Sequence, residues 1–254
     1  MGQECARFKP MEQKRMIEKF DKTPPVHPLD RPVWSALASR QAKFSQGDGR
    51  ALRLGPEFGL FAASADASPE SLTALARLNP VEGGLALVEA EAMPLPPGIG
   101  ARRIAACHQM LATSLTPIEP RFTITALTDE DAPEMLALAT LTEPGPFFAQ
   151  THRLGDFFGV RQGNRLVAMA GERLKPEGFT EISGVCTHPE HRGRGYAGVL
   201  MHHVATRIVA RGESPFLHVY ASNTGAIALY HTLGFVLRRV MTMTVIEAIV
   251  RAPT

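Results

Sequence analysis

Residues 186-CTHPEHRGRGYAGVLM-201 set two arginines alternating with two glycines directly before an apolar segment of helical period. A glycine inside a helix costs roughly 1 kcal/mol relative to alanine, so the helix begins at or just after Gly193 and Gly195. The preceding 180-TEISGVCT-187 reads as a strand. A strand, a glycine loop and a helix start in succession aim backbone N–H groups at one point, which makes an anion site and above all a phosphate site. Glycine permits close approach and φ > 0, while Arg192 and Arg194 add charge and forked donors. Behind the loop Tyr196, Val199, Leu200, Val204 and Ile208 share one stripe that stops at Gly212, so the helix packs one side on a sheet and leaves its amino end free.

Two familiar phosphate loops fit this pattern poorly. The P-loop ends in Gly-Lys-Ser/Thr, and no lysine lies in this stretch. The dinucleotide fingerprint is only partly imitated by Gly193, Gly195 and Gly198, and the strand before them does not open a βαβ unit with an acidic residue ending its second strand.

Outward from the loop, the carboxyl side predicts a helix over about 196–210, a strand at 216-FLHVYA-221, a short helix around 226–233 and a last strand at 235-FVLRRVMTMTVI-246. The amino side predicts a hairpin, 156-DFFGVRQ-162 with 165-RLVAMAGERL-174, turned at Gly163-Asn164. Before it come an alternating strand, 121-RFTITAL-127, and a helix over 132–141 opened by a Thr128/Asp131 capping-box pair. From Arg121 the order is β, α, β, β, β, α, β, α, β, which makes a mixed central sheet with helices on both faces and an α/β (α+β) class. The proline-bearing 114-SLTPIEP-120 is the expected boundary, with one domain over 120–254 and a smaller α/β domain over 29–116. In the latter the sequence predicts a helix from Asp30 with Val33, Trp34, Leu37, Ala38 and Phe44 on one stripe, and strands at 58-FGLFAA-63 and 84-GLALVEA-90. Helices are expected over 69–78 and about 101–113. Residues 1–28 read as an irregular arm.

A chain of 254 residues that is 44% hydrophobic can build a sizeable core. Its longest apolar runs are too short to cross a bilayer, its first residues lack the apolar core of a secretory signal, and Ala6 stands where a myristoylation site needs Ser or Thr. A formal charge of +2 gives no global field for nucleic acid or an anionic membrane, so any anion site is local. Cys5, Cys107 and Cys186 give neither a disulfide framework nor metal-ligand spacing. These features predict a cytoplasmic protein with neither nucleic acid nor a membrane as partner.

Arg192, Gly195 and Ala197 match a Q/R-x-x-G-x-G/A signature, and residues 181–201 together with 219-VYASNTGAIALYHTLGF-235 resemble the GNAT superfamily of acetyl-CoA-dependent N-acetyltransferases, over about residues 120–250. The resemblance implies the GNAT-like acyltransferase fold and acetyl-CoA (coenzyme A) as cofactor. Its pantetheine arm would run along Val185, Cys186 and Thr187, and its pyrophosphate would sit on Arg192, Gly193, Arg194, Gly195, Tyr196 and Ala197. It implies a cofactor contact for Asn223, whose plainer reading is a helix N-cap. It implies that Tyr230 protonates the leaving thiolate, against a plainer reading as aromatic packing; a phenol with pKa near 10 is protonated and able to donate at neutral pH. For the base that takes a proton from the acceptor ammonium the resemblance points to Glu181, with Glu172 on the preceding strand as the alternative. The implied function is transfer of the acetyl group to an amine of a small molecule or peptide by direct attack on the thioester. A CoA-binding sensor or scaffold with little catalysis, or a transferase of a longer acyl group, is the alternative.

His188 and His191 flank the loop and 202-HH-203 lies on the helix, but no pair has H-E-x-x-H spacing, and adjacent helical residues diverge by about 100°, so no metal is predicted. Cys186, a thiol in an apolar strand, reads as a small buried hydrophobe. Arg238 and Arg239 read as charges that discourage pairing at a sheet edge. The front half, with a hairpin at 50-RALRLGPEFGLFAAS-64, has the texture of a degenerate second copy of the fold that walls the acceptor pocket. Phe147, Phe148, Phe157 and Phe158 in 141-LTEPGPFFAQTHRLGDFF-158 read equally as an apolar acceptor surface or as core.

Overall fold

The computed structural model describes residues 27–78, 83–119 and 121–249, so the expected irregular arm lies outside the described residues except for its last two positions. The described strands are β1 (Ser45–Gly47), β2 (Ala51–Leu54), β3 (Ala62–Ser64), β4 (Leu85–Glu89), β5 (Ile99–Ala112), β6 (Thr125–Leu127), β7 (Phe157–Gln162), β8 (Arg165–Glu172), β9 (Phe179–Thr187), β10 (Ser214–Tyr220) and β11 (Phe235–Ala248). The helices are α1 (Pro32–Leu37), α2 (Pro69–Leu78), α3 (Ala132–Thr142), α4 (Tyr196–Ala210) and α5 (Thr224–Thr232). Strands β1 to β3 form a small sheet, and the others form a second one in the order β4-β11-β5-β10-β9-β8-β7-β6. β9 and β10 are parallel while β5 is antiparallel to β10 and β11, so the large sheet is mixed.

Helices cover both faces because both faces are apolar. β8, a nearly continuous apolar run, is buried from Leu166 to Glu172, as a strand covered on both sides must be. On one face Leu200, Val204 and Ile208 of α4 meet Val167, Ile182, Leu217 and Phe235. On the other, Met135 and Leu138 of α3 meet Leu166, Met169 and Cys186, and Val33 and Leu37 of α1 meet Val88, Cys107 and Phe216. The Gly163-Asn164 hairpin and the capping box at Thr128 and Asp131 are present; the box caps a 3-10 turn that runs into α3.

The stretch 101–113, expected as a helix, is instead most of β5. Its alanines, arginines, Gln109 and Met110 are good helix formers. Yet β5 is clasped between β10 and β11, in register with the latter from Ala112↔Phe235 to Ile99↔Ala248, and two hydrogen-bonded edges override a weak local propensity. Met110 then faces one core while Cys107 and Leu111 face the other, a period of two that the helical composition hides. The large sheet thus takes β4 and β5 from before 114–120 and six strands from after it. Elsewhere α1 stops at Leu37, leaving Phe44 in a 3-10 turn, and only 125–127 of the expected strand at 121–127 is paired.

Candidate active site

β9 and β10 start as hydrogen-bonded neighbours, Phe179↔Ser214 to Glu181↔Phe216, and then part. Beyond Glu181 the edge of β9 that faces β10 has no sheet partner among the described residues, and the gap opens into a cavity of about 760 Å³ lined by 182–187, 191–198 and 217–220 among others. On its other edge β9 pairs with β8 through a bulge: Ser183 lies opposite Gly171 and Cys186 opposite Met169, so Gly184 and Val185 together face Ala170. Gly184 has φ 63°, and a Cβ there would lie 2.9 Å from Phe157 Cε1, so glycine meets both a conformational and a steric demand. A bulge re-aims backbone groups, and this one borders the cavity.

At the same opening α4 begins. Its N-cap is Gly195 at φ 83°, with no side-chain cap, and a Cβ on Gly193 or Gly195 would meet nothing within 4 Å. The glycines therefore answer to backbone conformation rather than crowding. The first N–H groups of a 15-residue helix are left without a side-chain acceptor, the terminus that attracts an anion. Arg192 and Arg194 flank it exposed, and Arg192 Nε donates to Thr187 O at 3.4 Å. Tyr196 anchors the helix start: its ring lies edge-on to Phe122 at 4.5 Å and its hydroxyl accepts from Gln162 Nε2 at 3.0 Å. Uncapped amides, exposed guanidinium groups and an unpaired strand edge in line fit the pyrophosphate and amide-bearing arm of coenzyme A.

Asn223 caps α5, its Oδ1 accepting from the Ala226 N–H at 3.2 Å, as its plainer sequence reading expects, and it also borders the cavity. Tyr230 lines the cavity from α5, and burial raises its pKa above the ordinary 10, which keeps the hydroxyl protonated.

Glu181 does not sit as the expected base. It is wholly buried, and its carboxylate is occupied: Arg173 Nε and Nη2 donate at 2.9 Å each, the Leu174 N–H at 3.3 Å, and His218 Nδ1 lies 2.8 Å away. Burial alone would raise its pKa, but Arg173 and His218 outweigh burial and hold it at about 2. Such a carboxylate is a feeble proton acceptor, and its bonds tie it to Arg173 and His218. Glu172 is buried between Lys175 Nζ at 2.8 Å and Arg211 Nη2 at 2.6 Å. Neither glutamate lines the cavity; the carboxylate that does is Glu143, which ends α3 in the left-handed region at φ 48°.

Arg173, His218, Tyr220 and Glu143 line the cavity without having been read from the sequence. The strand 216–221 held one signal, since His218 alternates with Phe216 and Tyr220 on a face that should be apolar. The four phenylalanines are not among the lining residues: Phe157 and Phe158 are core, Phe147 stacks edge-on to Phe157 at 5.7 Å, and Arg207 covers Phe158. Cys186 is buried, and desolvation raises its thiol to about 11. His188 and His191 do approach one another with Glu190, but the ring nitrogens of His188 already meet the Glu190 N–H at 3.3 Å and Arg165 Nη2 at 2.7 Å. Arg238 is bonded to Gln109 Oε1 and Asp30 Oδ1 at 2.8 Å each, within the sheet rather than at a free edge.

A mixed sheet parted between two parallel strands over an uncapped, arginine-flanked helix start defines a fold that admits an extended phosphorylated ligand. Residues 157–244 match the FR47-like protein family. A GNAT-family structure from Novosphingobium aromaticivorans DSM 12444 is 46% identical, with a TM-score of 0.83, over 88% of this chain and 100% of that one. A GCN5-related N-acetyltransferase from Kribbella flavida shares the fold at 18% identity and a TM-score of 0.55, over 83% of this chain and 94% of its own. The [ribosomal protein bS18]-alanine N-acetyltransferase of Salmonella typhimurium is 29% identical over 124 residues, 44% of this chain and 80% of that enzyme. The chain belongs to the GNAT family of acetyltransferases. No helix among the described residues is long and apolar enough to cross a membrane.

Proposed function

We propose that the chain is an acetyl-CoA-dependent N-acetyltransferase acting on an amine of a small molecule or peptide. The parting of β9 and β10 over the uncapped start of α4 carries this reading. Bound acetyl-CoA supplies an acetyl group activated as a thioester. Arg192, Arg194 and the amides of 193–197 hold its pyrophosphate, and the free edge of Val185, Cys186 and Thr187 holds its pantetheine arm. Asn223 contacts that arm through the amide NH₂ that its capping bond leaves free. N–H groups at the Gly184–Val185 bulge polarise the thioester carbonyl, and the Tyr230 hydroxyl gives its proton to the departing sulfur. Glu143 receives the acceptor's ammonium and its proton, directly or through water, while Glu181 acts through Arg173 and His218. The Salmonella relative, named for acetylating an alanine of a ribosomal protein, supports an amine as acceptor.

The front half is in this reading a degenerate copy of the same unit. β3, α2 and β4 repeat the succession of β9, α4 and β10, and Phe61, the residue before β3, makes one isolated parallel bridge to Ala86 of β4. In place of the arginine loop stands 65-ADAS-68, and Arg31 donates from Nη2 to Ser64 O and from Nη1 to Ala65 O, at 2.5 Å each. The copy is therefore given no cofactor of its own; Phe61 and Val88 wall the cavity of the other.

Isothermal titration of the full chain with acetyl-CoA tests the proposal, with Arg192→Ala/Arg194→Ala as control. Binding on the order of micromolar, weakened at least about tenfold in the variant, is expected. No binding by the native chain refutes the reading. A sensor is told from an enzyme by release of free CoA thiol in the presence of an amine.

A further inference from the structure

The cavity does not end at the phosphate loop. Its remaining wall is built by Phe61, Val88, Cys107, Tyr220, His218 and Arg173. The Arg173 side chain is 11% exposed, and Glu181 closes only its Nε–Nη2 edge. Phe61 covers one face of the guanidinium, 4.6 Å from ring centroid to Cζ. Nη1 has no hydrogen-bond partner among the described residues and is not sealed from solvent, and Arg173 forms part of the cavity wall. A guanidinium carries five N–H donors on two usable edges; here one edge serves the fold and the Nη1–Nη2 edge is left for a ligand.

A second arginine adds to the first. Arg103 of β5 lies over the Tyr220 ring, 4.6 Å from Cζ to the centroid, and makes no ion pair among the described residues. Glu181 balances the charge of Arg173, while Arg103, exposed and outside the cavity lining, adds its unbalanced positive charge from behind the Tyr220 ring. The one lining carboxylate among the described residues, Glu143, belongs to the loop after α3.

Resting on the N-acetyltransferase reading, we infer that the acceptor is an amine of amino-acid type, which seats its carboxylate on the free edge of Arg173 and an apolar side chain against Phe61 and Val88. Arginine suits this task because two parallel N–H donors match the two oxygens of a carboxylate. An analogue without the carboxylate leaves a desolvated guanidinium edge unpaired, which is how a polar pocket rejects it.

The test is equilibrium binding rather than turnover. The full chain, with and without CoA, is titrated with L-leucine, L-leucinamide and isopentylamine, and with L-phenylalanine, L-phenylalaninamide and phenethylamine. The amino acids are expected to bind at least about tenfold more tightly than their amides and amines. Arg103→Gln, an exposed change, narrows that preference. Arg173→Met/Glu181→Met, which removes both partners of the buried pair and leaves no orphaned charge, abolishes it; circular dichroism confirms that this variant is folded. Equal or tighter binding of the amides, a preference that survives both changes, or no binding of either amino acid overturns the inference. Titration of acetyl-CoA on the same sample separates the two readings: acetyl-CoA that binds while neither amino acid does leaves the enzyme assignment standing and removes only the acceptor class.

Discussion

Replacing Glu181 by Gln changes one oxygen to an NH₂ in a place with no solvent. The carboxylate now takes two bonds from Arg173, one from the Leu174 N–H and one from His218. After the change an amide NH₂ faces a donor, and Arg173 is left as a buried cation without its anion, which costs about 3–5 kcal/mol. The proton equilibrium gives a similar size: a carboxyl whose pKa falls from 4.5 to about 2 on folding carries roughly 3 kcal/mol of stability at neutral pH. The folded pKa is the lower one, so this stability is complete above the unfolded value of 4.5 and is lost as pH falls toward 2. At roughly 2–4 °C per kcal/mol for a chain of this size, Glu181→Gln is expected to lower Tm by about 6–20 °C at pH 7 and by progressively less below pH 4. Scanning calorimetry from pH 3 to 8 measures this, with Arg173→Met/Glu181→Met expected to recover most of the loss. A Tm within about 1 °C of native, together with a large fall in kcat and a displaced acid limb of the rate profile, would refute the positioning role and restore Glu181 as the base.

Two other substitutions probe separate steps. With Tyr230 as the proposed acid, Tyr230→Phe is expected to lower kcat by about 10²-fold with acetyl-CoA affinity unchanged, measured by thiol release and titration, because the substitution removes only the proton proposed for the leaving sulfur. Gly234→Ala is expected to cost about 3 kcal/mol or to prevent folding: φ there is 94°, and a Cβ would come 1.6 Å from Ser114 O, on the segment that joins β5 to the later chain. Thermal denaturation of Gly234→Ala reads this, and a stability equal to native overturns the close approach.

The loop was legible because its chemistry is local. Gly193 and Gly195 refuse a helix, Arg192 and Arg194 add charge, and the apolar stripe from Tyr196 fixes where the helix starts, all within one window of sequence. The parting of β9 from β10 is not legible in the residues, since none in 180–187 announces which neighbour the strand leaves. β5 was misread because its partners lie more than 100 residues away in sequence, and helix-forming side chains say nothing of two waiting strand edges. Arg173 and His218 were passed over for the same reason. Each is an ordinary polar residue in its own strand or strand end, and becomes part of a site only when Glu181, on the strand between them, draws both together.

That convergence also explains why the front half cannot be treated as a removable lid. β5 supplies Gln109, wholly buried, whose Nε2 donates to Leu29 O at 2.7 Å and lies 3.1 Å from His218 Nε2, while its Oε1 accepts from Arg238. Gln41 donates to Arg173 O at 2.7 Å and accepts from the Lys175 N–H at 3.0 Å. The chain of bonds from Leu29 through Gln109, His218, Glu181 and Arg173 to Gln41 thus passes through both halves. With Nε2 of His218 facing the Gln109 NH₂, the imidazole is fixed with its proton on Nδ1, toward Glu181. Removing residues 1–115 would strip β10 and β11 of the strand between them as well as the cavity wall, so loss of acceptor affinity in such a truncation reports the sheet. Phe61→Ala, which uncovers Arg173 without touching a strand register in the large sheet, isolates the wall.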